Sequence, residues 1–232
     1  MSDMTLYETT SAHLRENRAI DCGATILDPG PDGGSPRPAD SVGRTRRGDA
    51  ITLFRAWLRH PLRTAAIAPS SLALARLMTK DIAASDRVVE LGPGTGVFTQ
   101  ALVDRGVPSS RLTVVEANPE FADLLSTRFP DVHVVCADAA TDSWQLSEHT
   151  EIDAVVSGLP LLSMPIDSVA GVLSTALSVL HPQGGFYQFT YGPTCPVRAT
   201  LLGTLRLSAT RIGWTPRNLP PASVYRIERR LG

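Results

Sequence analysis

Val88-Val89-Glu90-Leu91-Gly92-Pro93-Gly94-Thr95-Gly96-Val97-Phe98 decides the fold. A β-branched apolar run stops at three glycines spaced two apart, and an amphipathic helical pattern follows. Strand, glycine turn and helix in that order place a nucleoside-bearing ligand at the carboxyl ends of a doubly wound sheet. A dinucleotide site needs G-x-G-x-x-G, so that pyrophosphate can sit on the helix N-terminus. Here the spacing is G-x-G-x-G with Glu90 in front. A carboxylate repels pyrophosphate but attracts an ammonium or a sulfonium. The ligand these residues imply is S-adenosylmethionine, leaving as S-adenosylhomocysteine.

Downstream, strand and helix signals alternate. Strands are expected near Arg87–Leu91, Leu112–Glu116, His133–Cys136, Ile152–Ser157 and Gly185–Thr190. Helices are expected near Val97–Arg105, Pro119–Arg128, Thr141–Gln145 and Ser168–Leu180. After Pro196 a helix to about Leu207 leads into strands near Thr210–Thr215 and Ser223–Arg229, joined by a short proline-rich loop. The fold class is therefore α/β. Five parallel strands plus an antiparallel C-terminal hairpin make the seven-stranded, Rossmann-like sheet of class I methyltransferases, here with an N-terminal amphipathic helical extension.

Upstream, residues 1–48 are expected to form a disordered tail, because Asp28 to Gly48 is dense in Pro, Gly, Asp and Arg and has little to bury. Residues 49–82 form the next unit and 83–232 the cofactor-binding domain. In the middle unit Ile51, Leu53, Phe54, Trp57, Leu58 and Leu62 share one helical arc, while Arg55, Arg59 and Arg63 recur opposite. Arginines facing a Trp- and Phe-bearing side fit a helix lying among anionic headgroups; packing on the catalytic domain fits equally. Residues 49–63 are thus the expected contact with an anionic membrane surface. Ser70 and Ser71 then start a helix to about Lys80 that can form a lid over the cofactor, and either serine can serve as its N-cap.

At 232 residues and a formal net charge of -1, the chain is not a globally basic nucleic-acid binder. Its three cysteines are far apart and lack C-x-x-C or Cys/His spacing. Neither a disulfide framework nor a metal site is expected, and a reducing compartment fits. No basic n-region with an apolar run marks the N-terminus, and the most apolar long window is broken by Pro160, Pro165 and Asp167.

Ligands of such sheets lie outside the strand ends, so the residues there are read together. Glu90 faces the methionine ammonium, with Gly92, Gly94, Thr95 and Gly96 supplying backbone. Glu116, twenty residues past Gly96, is placed to grip the ribose hydroxyls, beside Ala117. Asp138, next to Ala139, can accept from the adenine amine or serve as an N-cap. The fourth strand ends at Ser157-Gly158-Leu159-Pro160-Leu161-Leu162. Enzymes acting on base amines carry here an Asn/Asp-Pro-Pro-aromatic or Asn-Leu-Pro-aromatic run, whose amide and carbonyl accept from the amine while the ring stacks on the flipped base. Gly158 replaces the amide and Leu161 the ring. Carbonyls aimed at an amine survive, the stacking platform does not, and an aliphatic amine fits better. Ser157, Gly158 and Leu159 are thus catalytic candidates, Ser157 also bordering the cofactor. Tyr191, beyond the fifth strand, is the polar candidate for holding the amine or, through its ring, the methylated cation.

Six segments carry a narrower resemblance: Phe54–Pro61, Ile67–Ser71, Glu90–Gly96, Ser157–Leu162, Tyr187–Pro193 and Arg217–Ala222. Together they resemble the soluble bacterial phospholipid N-methyltransferases over roughly residues 50 to 230. The chain is also similar to ornithine-lipid N-methyltransferases and, more distantly, to ribosomal RNA adenine dimethylases. The resemblance implies methylation of the amine headgroup of phosphatidylethanolamine towards phosphatidylcholine, by a cytoplasmic protein peripheral to the inner membrane, with no nucleic-acid partner and no metal. Ornithine lipid is the alternative substrate, and RNA adenine a more remote one. Arg217 could pair with a lipid phosphate or form a structural salt bridge.

Overall fold

The computed structural model describes residues 69–141, 144, 151–216 and 221–230. The expected tail, the arginine-bearing helix with Arg55, Trp57, Arg59 and Arg63, and Arg217 lie outside these residues, as does most of the Thr141–Gln145 helix.

The first described helix, α1, spans Pro69–Thr79. Proline suits a first turn, where its missing N–H leaves no bond unmade. Ser70 and Ser71 fall inside its first turn, after Pro69. β1 (Val88–Leu91), α2 (Val97–Asp104), β2 (Leu112–Glu116), α3 (Pro119–Arg128) and β3 (His133–Cys136) follow. Asn118 caps α3, its side chain accepting from the Glu120 N–H at 2.8 Å. β4 (Ile152–Ser157), α4 (Ile166–Val179), β5 (Leu180–Tyr191), α5 (Ala199–Thr204), β6 (Leu207–Thr215) and β7 (Ala222–Arg229) complete the order. β5 starts five residues earlier than its apolar run implies, because Leu180 pairs with Ile152 before a bulge restores the register at Ala154.

The seven strands lie in the order β3-β2-β1-β4-β5-β7-β6. β1 to β5 run parallel, and β7 is antiparallel to both β5 and β6. This is the expected class I sheet with one refinement: the later hairpin strand sits inside and the earlier one takes the edge. Every residue of β1 and β2 is buried, as strands covered by helices on both faces must be. Side chains alternate between two cores. Val89, Leu91, Val155 and Phe186 pack with α4 and α5 residues. Val88, Val114, Val156 and Tyr187 pack with α1, α2 and α3. Tyr187 and Phe189 are buried in the second core. Cys195 is a free thiol.

Candidate active site

Two loops meet where β1 and β4 end. After β1 the chain turns through Gly92 (φ +65°), Gly94 (φ +56°) and Gly96 (φ +80°), a left-handed backbone that glycine adopts freely. The Gly92 N–H donates to Val115 O at 2.9 Å, and the Gly158 N–H donates to Leu91 O at 2.8 Å. The second bond zips the two loops together. A Cβ on Gly158 would lie 2.4 Å from the Gly92 carbonyl oxygen, so only glycine permits this approach. A Cβ on Gly94 would meet nothing within 4 Å, so that turn borders open space.

Two carboxylates stand on the sheet face covered by α1–α3. Glu90 is fully buried. Its Oε2 accepts from the Thr99 hydroxyl at 2.7 Å, while Oε1 has no partner among the described residues. Burial pushes its pKa up to about 8; the Thr99 bonds pull it down, and the nearby Glu116 charge raises it further. Glu116, 8% exposed, accepts from the Gly94 N–H at 3.0 Å and the Asn118 N–H at 2.9 Å. It thereby braces the glycine turn from the neighbouring strand. Thr95 lends its carbonyl to Arg128 at 2.8 Å. Ala117 is exposed at the mouth.

At the end of β3, Asp138 is exposed and its Oδ1 accepts from the Ala140 N–H at 2.8 Å. Asp138 thus caps a turn, with its second oxygen unbonded among the described residues. Ala139 is buried, and its carbonyl accepts from the Trp144 indole at 3.2 Å.

The loop after β4 is held at both backbone groups of one residue, Leu159. Ser157, fully buried, accepts from the Leu159 N–H at 3.3 Å. The Leu159 carbonyl accepts from Gln188 Nε2 at 3.0 Å and from the Leu161 N–H at 3.0 Å. Both lone-pair directions of Leu159 are therefore taken, and it is not open to an amine as expected. The Gly158 carbonyl is in no recorded bond among the described residues. Leu161 is buried and Leu162 is 53% exposed beside the loop.

Tyr191 lies on the carboxylate face, opposite the one that carries Ser157 and Gln188. Its ring packs edge-on to Phe189 (centroids 5.5 Å apart), which packs likewise on Phe98 at 5.9 Å. Ser157 pairs in register with Gln188, so Tyr191 stands three residues, roughly 10 Å, further along the strand. The structure brings Ser157, Gly158 and the glycine turn together and leaves Tyr191 at their rim. Sequence reading missed Thr99 and Gln188. The available signal was a polar residue at a buried position of an otherwise apolar helix and strand.

These residues suit S-adenosylmethionine. Glu90 Oε1, buried and without a partner among the described residues, suits a cation, a second carboxylate stands at the mouth, and the glycine turn borders open space. The one basic side chain named at the turn, Arg128, is bound to the Thr95 carbonyl.

Comparison with known proteins points the same way. Residues 88–184 match the methyltransferase domain family. The chain is 35% identical over 184 residues to the ornithine lipid N-methyltransferase of Singulisphaera acidiphila, spanning 76% of this chain and 94% of that one. A shorter match, 30% identical over 79 residues, is to the ribosomal RNA small subunit methyltransferase A of Maridesulfovibrio salexigens; it spans 34% of this chain and 29% of that relative. Among solved structures, N-methyltransferase NodS from Bradyrhizobium japonicum, in complex with S-adenosylhomocysteine, superposes with a TM-score of 0.55 at 17% identity, covering 78% of this chain and 98% of that one. That likeness is one of fold.

Proposed function

The chain belongs to the class I S-adenosylmethionine-dependent methyltransferases, and from that premise we propose that it methylates the terminal amine of a membrane lipid, an ornithine-type aminolipid ahead of phosphatidylethanolamine. The observation that carries this reading is the Ser157–Leu162 loop, which keeps an open carbonyl beside the cofactor turn and has an aliphatic side chain where base methylases place a ring. The 35% identical relative acts, by its name, on ornithine lipid. It reverses the order expected from sequence, in which phosphatidylethanolamine came first. A ribosomal RNA substrate has only the shorter match behind it.

When bound, S-adenosylmethionine supplies a methyl group on a cationic sulfur, which a neutral amine can take by in-line displacement. The protein's part is alignment and exclusion of water. The Gly158 carbonyl accepts a hydrogen of the amine and so orients its lone pair. Glu90 receives the methionine ammonium, Glu116 the ribose hydroxyls, and Asp138 the adenine amine through its second oxygen. The backbone of Gly92, Gly94, Thr95, Gly96, Ala117 and Ala139 lines the cofactor. Tyr191 holds the methylated cation at the rim. Removing Glu116 as Glu116→Ala is expected to weaken S-adenosylmethionine binding by about 1.5–3 kcal/mol, the usual loss for a charged hydrogen bond. Unchanged calorimetric affinity would remove the assignment.

Membrane contact is assigned to residues 49–63, with Arg55, Arg59 and Arg63 on headgroups and Trp57 beneath them, and to Ser70, Ser71 and Arg217 near the lipid. No described helix is long and apolar enough to cross a membrane. The function is tested by incubating the protein with methyl-labelled cofactor and vesicles of ornithine lipid, phosphatidylethanolamine or both, then separating the lipids by chromatography. Label is expected in ornithine lipid, and less of it when Arg55, Arg59 and Arg63 are replaced by Gln in a salt-sensitive manner. Label in phosphatidylethanolamine alone restores the other lipid order. Label in RNA alone, supplied in parallel, ends the lipid reading.

A further inference from the structure

Gln188 is a polar residue in a strand position that the fold otherwise fills with apolar side chains. It is 1% exposed, on the sheet face of Val155, Phe186 and Ile227. Its Nε2 donates both hydrogens, to the Leu159 carbonyl at 3.0 Å and to the Phe189 carbonyl at 2.9 Å. Its Oε1 is buried without a partner among the described residues. Leaving a buried acceptor unmatched is unfavourable, so the group is used here for its two N–H donors. A Met or Leu would fill the volume without an orphaned oxygen.

The first of those donors fixes the peptide between Leu159 and Pro160, next to the one that carries the Gly158 carbonyl. Ser157, from β4, binds the Leu159 N–H, and Gln188, its register partner on β5, binds the Leu159 carbonyl. With both ends of that residue tied to neighbouring strands, and the Gly158 N–H tied to Leu91, the direction of the Gly158 carbonyl is set. We propose that Gln188 is a positioning residue for methyl transfer: a side-chain amide on the adjacent strand that holds the acceptor loop in place. This rests on the lipid-amine reading above. A glycine at 158 can tilt its peptide freely, so the loop needs an external tie, and the amide that base methylases carry within the loop is found here one strand away, bound to backbone.

The test compares Gln188→Met, nearly equal in volume but without donors, with Gln188→Glu, whose buried carboxyl stays protonated and keeps one donor. For the Met variant kcat on lipid vesicles is expected to fall at least tenfold and up to about a hundredfold, the scale of a 1 Å misplacement. KM for the lipid and Kd for S-adenosylmethionine are expected to stay within threefold. The Glu variant is expected to recover most of kcat. A smaller loss of kcat, a matching loss of cofactor affinity, or no recovery in the Glu variant overturns the proposal. Amide exchange at Leu159 and Leu161, followed without any lipid, is expected to be at least tenfold faster in the Met variant; unchanged exchange also overturns it. If the parent itself transfers nothing to lipid amines, the functional reading fails, while the exchange measurement still decides whether Gln188 fixes the loop.

Discussion

Gly158→Ala is expected to lower kcat/KM by about two orders of magnitude or more. The new Cβ would lie 2.4 Å from the Gly92 carbonyl oxygen, 3.4 Å from the Gly92 carbon and 3.5 Å from the Leu91 oxygen. All three are backbone atoms, so no side chain can swing aside. Relief requires the two loops to part by about 1 Å, and a shift of that size in the groups that align two reactants costs about a hundredfold in rate. Because Gly92 belongs to the cofactor turn, S-adenosylmethionine affinity should fall as well. Gly203→Ala is the control. Gly203 lies in α5 with nothing within 4 Å of its Cβ position, and alanine there should be neutral or stabilise by up to about 1 kcal/mol. Thermal unfolding separates loss of fold from loss of alignment. A Gly158→Ala protein within threefold of the parent's activity would show that the loops do not act as a pair.

Glu90→Gln is expected to stabilise the ligand-free protein at alkaline pH and to weaken its hold on the cofactor. The Glu90 pKa is about 8 in the folded chain against a reference of 4.5. Below pH 4.5 both folded and unfolded chains carry the proton, and Glu90 costs nothing. Between pH 4.5 and 8 the unfolded chain ionises first, so stability declines steadily. Above pH 8 both are ionised and the loss is complete, of order 4–5 kcal/mol for that interval. Glutamine does not titrate, so the variant's stability should lack this decline when unfolding is followed from pH 4 to 9. Binding should show the opposite sign. A cation at Oε1 favours the ionised carboxylate, so S-adenosylmethionine should release a proton at pH 7. Calorimetric enthalpies should then depend on the buffer's ionisation enthalpy in the parent and not in Glu90→Gln. Parallel stability curves for the two proteins would contradict the burial argument; buffer-independent enthalpies in the parent would contradict the ammonium assignment.

Much of this architecture is legible in residue order because parallel strands buried on both faces advertise themselves. Leu112–Glu116, His133–Cys136 and Ile152–Ser157 are read from sequence with the bounds they have in the structure, each being a short β-branched run between turn residues. The glycine turn is equally legible, since its spacing reflects positive φ angles that other residues resist. Contacts between distant segments are not. Nothing local tells that Thr99 will reach Glu90, or that the Leu159 carbonyl will be claimed by Gln188, because both depend on which strands become neighbours. The order of the last two strands is hidden for the same reason. A hairpin signal states that β6 and β7 pair, and only burial states which of them meets β5: β7 is largely buried and β6 largely is not.

That interior placement of β7 bears on how the molecule is made. The five parallel strands are all present once residue 191 has been translated, yet the open margin of β5 is covered only when residues 222–229 arrive to pair with it. During the interval the Phe186–Tyr191 margin offers unmatched amides and carbonyls to any passing polypeptide, the condition under which nascent chains stick to one another. Slow passage of the ribosome through residues 192–221 should therefore lower the yield of soluble protein without altering a single residue of it.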